Sequence, residues 1–174
     1  MLTSALRLPL HGLRSQFLHW AYGQTYPLYA RFKRHPRPAW QVNTKTLLDY
    51  PVGTLGRQIG QFLTTNQLEL IPSFENHDVF HVLLDYGLSA PEEVALQWCL
   101  LGNGKRSIFS FTAIFIGTFC FPEHWSWFRK AYRQGKALRP FHHWYFEYLL
   151  QENLARMRQF LEGAGLSDEE EFIW

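Results

Sequence analysis

At 174 residues the chain has the length of one domain, and a body of that size buries roughly two thirds of the surface its unfolded form exposes. Apolar residues make up 47% and aromatics 17%, enough for a core without disulfide staples, while only 18% are charged, which is low for a freely soluble helical protein. A net charge of +2 argues against a general nucleic-acid binder, and no apolar run reaches the roughly 18–20 residues of a membrane span. No secretory leader is expected either, so the protein is read as soluble or peripheral. Cys99 and Cys120 lie far apart and outside any Cys-x-x-Cys spacing, which suits incidental thiols of a reducing compartment.

In chain order, residues 1–48 contain seven Lys or Arg and no Asp or Glu. Such a start has the composition of a transit peptide, but Phe17, Trp20, Tyr22, Tyr26, Tyr29 and Phe32 favour a retained helix. Leu13, Phe17 and Trp20 stand at helical spacing, Pro27 interrupts the pattern, and Pro36 and Pro38 end it after the cluster Arg31, Lys33, Arg34 and Arg37. A second helix is predicted from about Leu55 to Leu63, where Gly56 and Gly60 cost roughly 1 kcal/mol each and permit close packing. A third runs from Ser73 as N-cap to Gly87 as stop. Ser89 and Glu92 have the spacing of a capping box for a fourth, about Ala90 to Leu101, with Pro91 in its first turn.

Ser107 to Phe121 is almost wholly apolar, and its length favours a helix over a strand. Beyond Pro122 a helix is expected with Trp125, Phe128 and Tyr132 on one face and Arg129, Lys130, Arg133 and Lys136 around it, ending near Gly135. A last helix from about Phe141 to Glu162 carries Phe146, Leu150, Leu154, Met157 and Leu161 in register. The expected fold is all-α, one domain of six to seven helices over residues 1–174. It comprises a basic aromatic-rich region (1–50), a core (51–162) and an acidic tail (163–174) that has the composition of an unfolded segment.

The chemistry concentrates in the third and fourth helices. His77 and His81 are four residues apart, so a helix projects both imidazoles from one face, and Asp78 stands beside the first. If Glu92 is occupied by the capping box, Glu93 is the carboxylate free to turn inward. Two imidazoles and two carboxylates suit zinc, with iron or manganese as alternatives, better than calcium or magnesium. The arrangement differs from the zincin His-Glu-x-x-His, because Asp78 is a methylene shorter than the zincin general base. Paired Glu-x-x-His motifs of a di-iron bundle are absent.

The string His77-Asp78-Val79-Phe80-His81, followed after eleven residues by Glu93, resembles the His-Asp-x-x-His-x11-Glu signature of the coenzyme Q biosynthesis protein 4 family. Thr54-Leu55-Gly56-Arg57 and Ala131-Tyr132-Arg133-Gln134-Gly135-Lys136, with Trp144 and Glu147, are similar to further parts of that family, so the resemblance spans about Pro51 to Leu161. It implies an all-helical protein of ubiquinone biosynthesis that holds zinc or another divalent metal through His77, Asp78, His81 and Glu93. Its implied partners are a polyprenylated quinone precursor or isoprenoid lipid, a membrane surface and other quinone-biosynthesis enzymes. A homodimer is allowed for, and a nucleic-acid partner is not expected. The implied location is cytoplasmic, on the inner face of a membrane, or on the matrix side in a mitochondrion. Oxidative decarboxylation of the aromatic ring, with Asp78 and Glu93 moving protons, is the implied chemistry. The alternative is a non-catalytic peripheral scaffold with a structural metal. The segment Ile108 to Phe121 would be either a wall for the polyprenyl tail or a plain core helix. Arg129, Lys130, Arg133 and Lys136 beside Trp125 and Trp127 would suit anionic headgroups.

Overall fold

The structure, a computed structural model, describes residues 38–163 and, ahead of them, Gly12. The expected helix through Leu13, Phe17 and Trp20 and the acidic tail lie outside the described residues. Within them the chain forms seven α-helices: α1 (Thr44–Leu48), α2 (Leu55–Thr65), α3 (Glu75–Leu84), α4 (Ala90–Gly102), α5 (Ile108–Cys120), α6 (Trp125–Ala137) and α7 (Leu154–Leu161). Single 3-10 turns, Pro122–His124 and Phe146–Leu149, precede α6 and α7. There is no β-strand among the described residues, only an isolated bridge between Thr54 and Asn153. The all-α expectation therefore holds, and no described helix is long and apolar enough to cross a membrane.

Local chemistry explains most helix starts. Asn43 begins α1 by accepting the Thr46 N–H at 3.0 Å, a short helix that the sequence periodicity does not announce. Thr54 caps α2, Ser107 caps α5 and Asn153 caps α7 in the same way. In α4 the expected capping box forms, with the Glu92 carboxylate accepting the Ser89 N–H at 3.1 Å and also the Gly87 N–H at 3.2 Å.

Two boundaries differ from expectation. Ser73 has φ +67, in the left-handed region, whereas a capping residue is extended, so Ser73 is not the N-cap of α3. Phe74 holds that position without a side-chain cap, and Glu75 and Asp78 place negative charge in the first turn. The helix then ends at left-handed Asp85 (φ 58), short of Gly87.

The continuous helix expected from Phe141 to Glu162 is broken. The Leu150 and Glu152 carbonyls turn aside to accept the Gly56 and Leu55 N–H groups of α2, both at 2.8 Å. Those are orphan donors of the α2 N-terminus, and satisfying them takes the acceptors a continuous helix would need.

Packing follows the small residues. Gly135 lies inside α6 rather than ending it, and a Cβ there would collide with the Cys99 carbonyl of α4; at Gly102 it would collide with the Tyr132 carbonyl of α6. The helices α4 and α6 thus cross with backbones in contact. Gly56 and Gly60 do the same for α2, where a Cβ would stand 2.9 Å from the Leu150 carbonyl oxygen and 3.0 Å from the Leu47 backbone. One buried cluster, including Leu47, Ile59, Val79, Phe80, Leu96, Phe128, Phe146 and Met157, joins α1 to α4, α6 and α7. The helix α5 rests on the outside of α4.

Candidate metal centre

The core places α3 and α4 side by side so that three of the expected residues converge. The Nε2 atoms of His77 and His81 lie 3.2 Å apart. Glu93 enters from the first turn of α4, with Oε1 at 3.2 Å from His81 Nε2 and Oε2 at 3.4 Å from His77 Nε2. The capping box makes this placement, because it holds Glu92 on the backbone and leaves its neighbour to point across at α3. Asp78 is not part of this converging group. Its carboxyl is close enough to interact electrostatically with His77, His81, Glu75 and Glu93.

The donor set fits a metal. Ligand atoms 2.0–2.1 Å from a tetrahedral ion stand about 3.3 Å from one another; the two imidazole nitrogens here are 3.2 Å apart, and each faces its own oxygen of Glu93, at 3.2 and 3.4 Å. The second nitrogen of His81, Nδ1, lies 3.1 Å from the Tyr86 carbonyl oxygen, and an N–H there donates to it. A neutral His81 therefore aims the bare lone pair of Nε2 at Glu93 and His77, where only a proton or a cation relieves the repulsion. Backbone orientation of a ligating imidazole in this way is usual in metal sites. The Phe62 ring, stacked on His81 with centroids 5.6 Å apart, holds its other face.

Burial is graded across the site. The His81 side chain is fully covered, Glu93 is 15% exposed and His77 33% exposed, so the centre opens toward solvent past His77. Two imidazoles and a carboxylate beside an open side are the donor types used by metal centres that keep a position for water or substrate.

Burial alone would raise the pKa of Glu93, but hydrogen bonds from His77 and His81 and their charge overturn that and hold it down at about 2. Burial likewise lowers His81, and the Glu93 hydrogen bond and charge, the Tyr86 carbonyl and the Asp78 charge outweigh it, for a net rise. Asp78 is pushed up to about 6 by burial, against the pull of the two histidines. The buried Cys99 thiol is pushed up to about 12 by burial, which suits the inert role read from its spacing.

Sequence reasoning missed the residues that orient the site. A backbone carbonyl such as that of Tyr86 leaves no mark in a sequence. Arg158 of α7 donates to the Val82 and Leu83 carbonyls at 2.7 and 3.1 Å, capping the helix that carries both histidines, and nothing in its spacing along the chain marks it for that role. Trp127, expected at the surface beside Trp125, is packed partly into the core.

The chain is similar in fold to a crystal structure of a proposed ubiquinone biosynthesis protein from Nostoc punctiforme PCC 73102, with a TM-score of 0.61 and 16% identity over 88% of this chain and 81% of that one. No protein-family model and no curated protein matches the sequence.

Proposed function

We propose that this protein is a metal-dependent component of ubiquinone or related quinone biosynthesis that acts on or presents a polyprenylated aromatic acid. The observation that carries the proposal is the convergence of His77, His81 and Glu93 at ligand spacing, on helices that the sequence motif places in the coenzyme Q biosynthesis protein 4 pattern. The fold likeness to the Nostoc protein supports it independently of the motif.

In this reading the three residues hold one divalent ion, zinc first, with iron or manganese as alternatives. The bound ion supplies Lewis-acid neutralisation of a carboxylate or phenolate on the aromatic ring. The residues of the chain do the rest. His81, clamped by the Tyr86 carbonyl and Phe62, fixes the position of the centre. His77, on the open side, leaves the approach through which an aromatic acid reaches it. Asp78 holds or passes a proton beside the centre, and Glu93 supplies the anionic ligand. The reaction assigned replaces the ring carboxyl by a hydroxyl: the carboxyl leaves as carbon dioxide, and the two electrons released pass to dioxygen, so that acid, water and dioxygen give phenol, carbon dioxide and hydrogen peroxide.

The test is metal analysis of protein purified without chelator, paired with flux through the pathway in cells. About one metal per chain, lost together with flux in His81→Ala, is the expected result. Normal flux in a metal-free His81→Ala variant would sink the catalytic reading.

A second reading, a peripheral scaffold with a structural metal that presents the lipid to other enzymes of the pathway, draws on the apolar outer face of α5. It is separated from the first by turnover of a polyprenylated aromatic acid by the purified, metal-loaded protein alone, which a scaffold lacks.

A further inference from the structure

The capping box of α4 makes one bond more than a helix start requires. A box needs the Glu92 carboxylate to accept the Ser89 N–H, and it does so through Oε2 at 3.1 Å. The other oxygen, Oε1, reaches two residues further back and accepts the Gly87 N–H at 3.2 Å. That N–H shares a peptide plane with the Tyr86 carbonyl, whose oxygen lies 3.1 Å from His81 Nδ1. One rigid peptide therefore stands between the Glu92 carboxylate of α4 and the buried imidazole of α3.

The surroundings hold that peptide in one orientation. Tyr86 donates its own N–H to the His81 carbonyl at 3.1 Å, so it meets His81 through both of its backbone groups. Its side chain is buried, and the phenol donates to Gln134 Oε1 of α6 at 3.2 Å. On the other side Gly87 leaves room for the carboxylate, since a Cβ there would stand 2.6 Å from both Glu92 oxygens. Gly87 has no left-handed φ, so close approach rather than a turn is what this glycine supplies. A carboxylate at the N–H pushes electron density toward the carbonyl oxygen, which then accepts the Nδ1–H more strongly. Histidines that bind metals are commonly oriented by a carboxylate on the second ring nitrogen. Here the same arrangement is built with a peptide inserted between the two.

We propose that Glu92 is a positioning residue for the metal centre, acting on His81 through the Tyr86–Gly87 peptide to fix Nδ1 as the protonated nitrogen and to aim Nε2 at the ion. The inference rests on the metal reading of His77, His81 and Glu93 and adds to it a residue outside the converging group. It also couples the two helices, because the carboxylate that starts α4, and so turns Glu93 toward α3, sets the imidazole it faces. Were Glu92 a cap alone, changes at the start of α4 would act on the metal only through stability. With the bridge, the Gly87 contact acts on His81 directly.

The test uses the full chain, with zinc affinity measured by competition with a chromophoric chelator and heteronuclear NMR of the metal-free protein labelled at histidine and glycine. Glu92→Gln keeps the size of the side chain and removes its charge, whereas Gly87→Ala keeps the charge and displaces the carboxylate. Both should lower zinc affinity by about tenfold, as loss of a group that orients a metal-binding histidine does. Both should also move the His81 Nδ1–H resonance upfield. Ser89→Ala weakens the box but leaves the Gly87 contact, so it should lower the melting temperature and leave the zinc affinity and the Nδ1–H signal at their parental values. An unchanged affinity and signal in Glu92→Gln would overturn the proposal, as would an affinity that merely follows melting temperature across the three variants. Failure of the parent to bind zinc would remove the metal reading instead, and the metal-free spectra still decide the bridge: a shifted His81 signal in Glu92→Gln upholds it and an unshifted one removes it.

Discussion

At the scale of single residues the centre depends on what each side chain is denied. His81 has its Nδ1 occupied by the Tyr86 carbonyl and one ring face by Phe62, so Nε2 is the one nitrogen left to act. Asp78 lacks a direct partner in the converging group and is half-buried beside it, which makes its charged form costly. The sign of that cost gives a prediction. Burial pushes Asp78 from its ordinary value of 3.8 up to about 6, so the folded chain binds more protons than the unfolded chain between those values. Stability is accordingly lost as pH rises through that window. In protein stripped of metal by a chelator, Asp78→Asn should be the more stable form near neutral pH, by on the order of 1–3 kcal/mol, and should match the parent at about pH 4. Melting curves at both pH values check this, and a variant no more stable than the parent near neutrality would show that Asp78 is not held against its charge.

At the scale of elements the histidine helix is short and held from outside. Its N-terminus carries no side-chain cap, and its C-terminus turns at left-handed Asp85. The Arg158 guanidinium takes two of the carbonyls left open at that end, Val82 and Leu83. Arg158→Met keeps the aliphatic stem and removes the fork, and should cost about 1.5–3 kcal/mol, as hydrogen bonds to a charged donor do. Amide exchange in the last turn of α3 should quicken and metal should bind more weakly, because the Tyr86 carbonyl that orients His81 follows directly. Unchanged exchange there would mean that Asp85 alone secures the turn. Why α3 relies on α7 is plain from the chain: the interrupted Phe141–Glu162 segment frees α7 to begin anew at Asn153 and approach α3 from the side.

At the scale of the molecule, Asn103 ties the end of the Glu93 helix to the return of the chain. Buried at 6% exposure, it donates from Nδ2 to the Gly135 and Arg139 carbonyls at 3.1 Å each and accepts the Phe141 N–H at 3.0 Å. This junction also sets the close crossing of α4 and α6 at Gly135. Asn103→Ala strands several buried backbone groups and should destabilise the protein by about 3 kcal/mol. A urea midpoint that falls with an unchanged slope would verify it. A loss below about 1 kcal/mol would show that water or neighbouring groups replace the amide. The helix α5 packs on the outside of α4 and keeps an apolar face, Ile108, Phe111, Phe115 and Phe119, exposed.

The sequence by itself determined what depends on near neighbours. Helical spacing put His77 and His81 on one face, the Ser89–Glu92 box released Glu93, and apolar spacing, capping signals and segment length together announced α2 through α6. These follow from interactions within one or two turns, which a linear pattern records. Only the tertiary structure decided where acceptors and surfaces are shared between distant segments. The Leu150 and Glu152 carbonyls cap α2 instead of continuing a helix, and Arg158 closes α3. An apolar segment with no polar side to its pattern cannot reveal which of its faces is covered, and here α4 covers only one side of α5. Asp78 and Glu93 are both carboxylates near histidines in the chain, but whether an oxygen reaches the imidazoles depends on how α3 meets α4, a distance that packing alone sets.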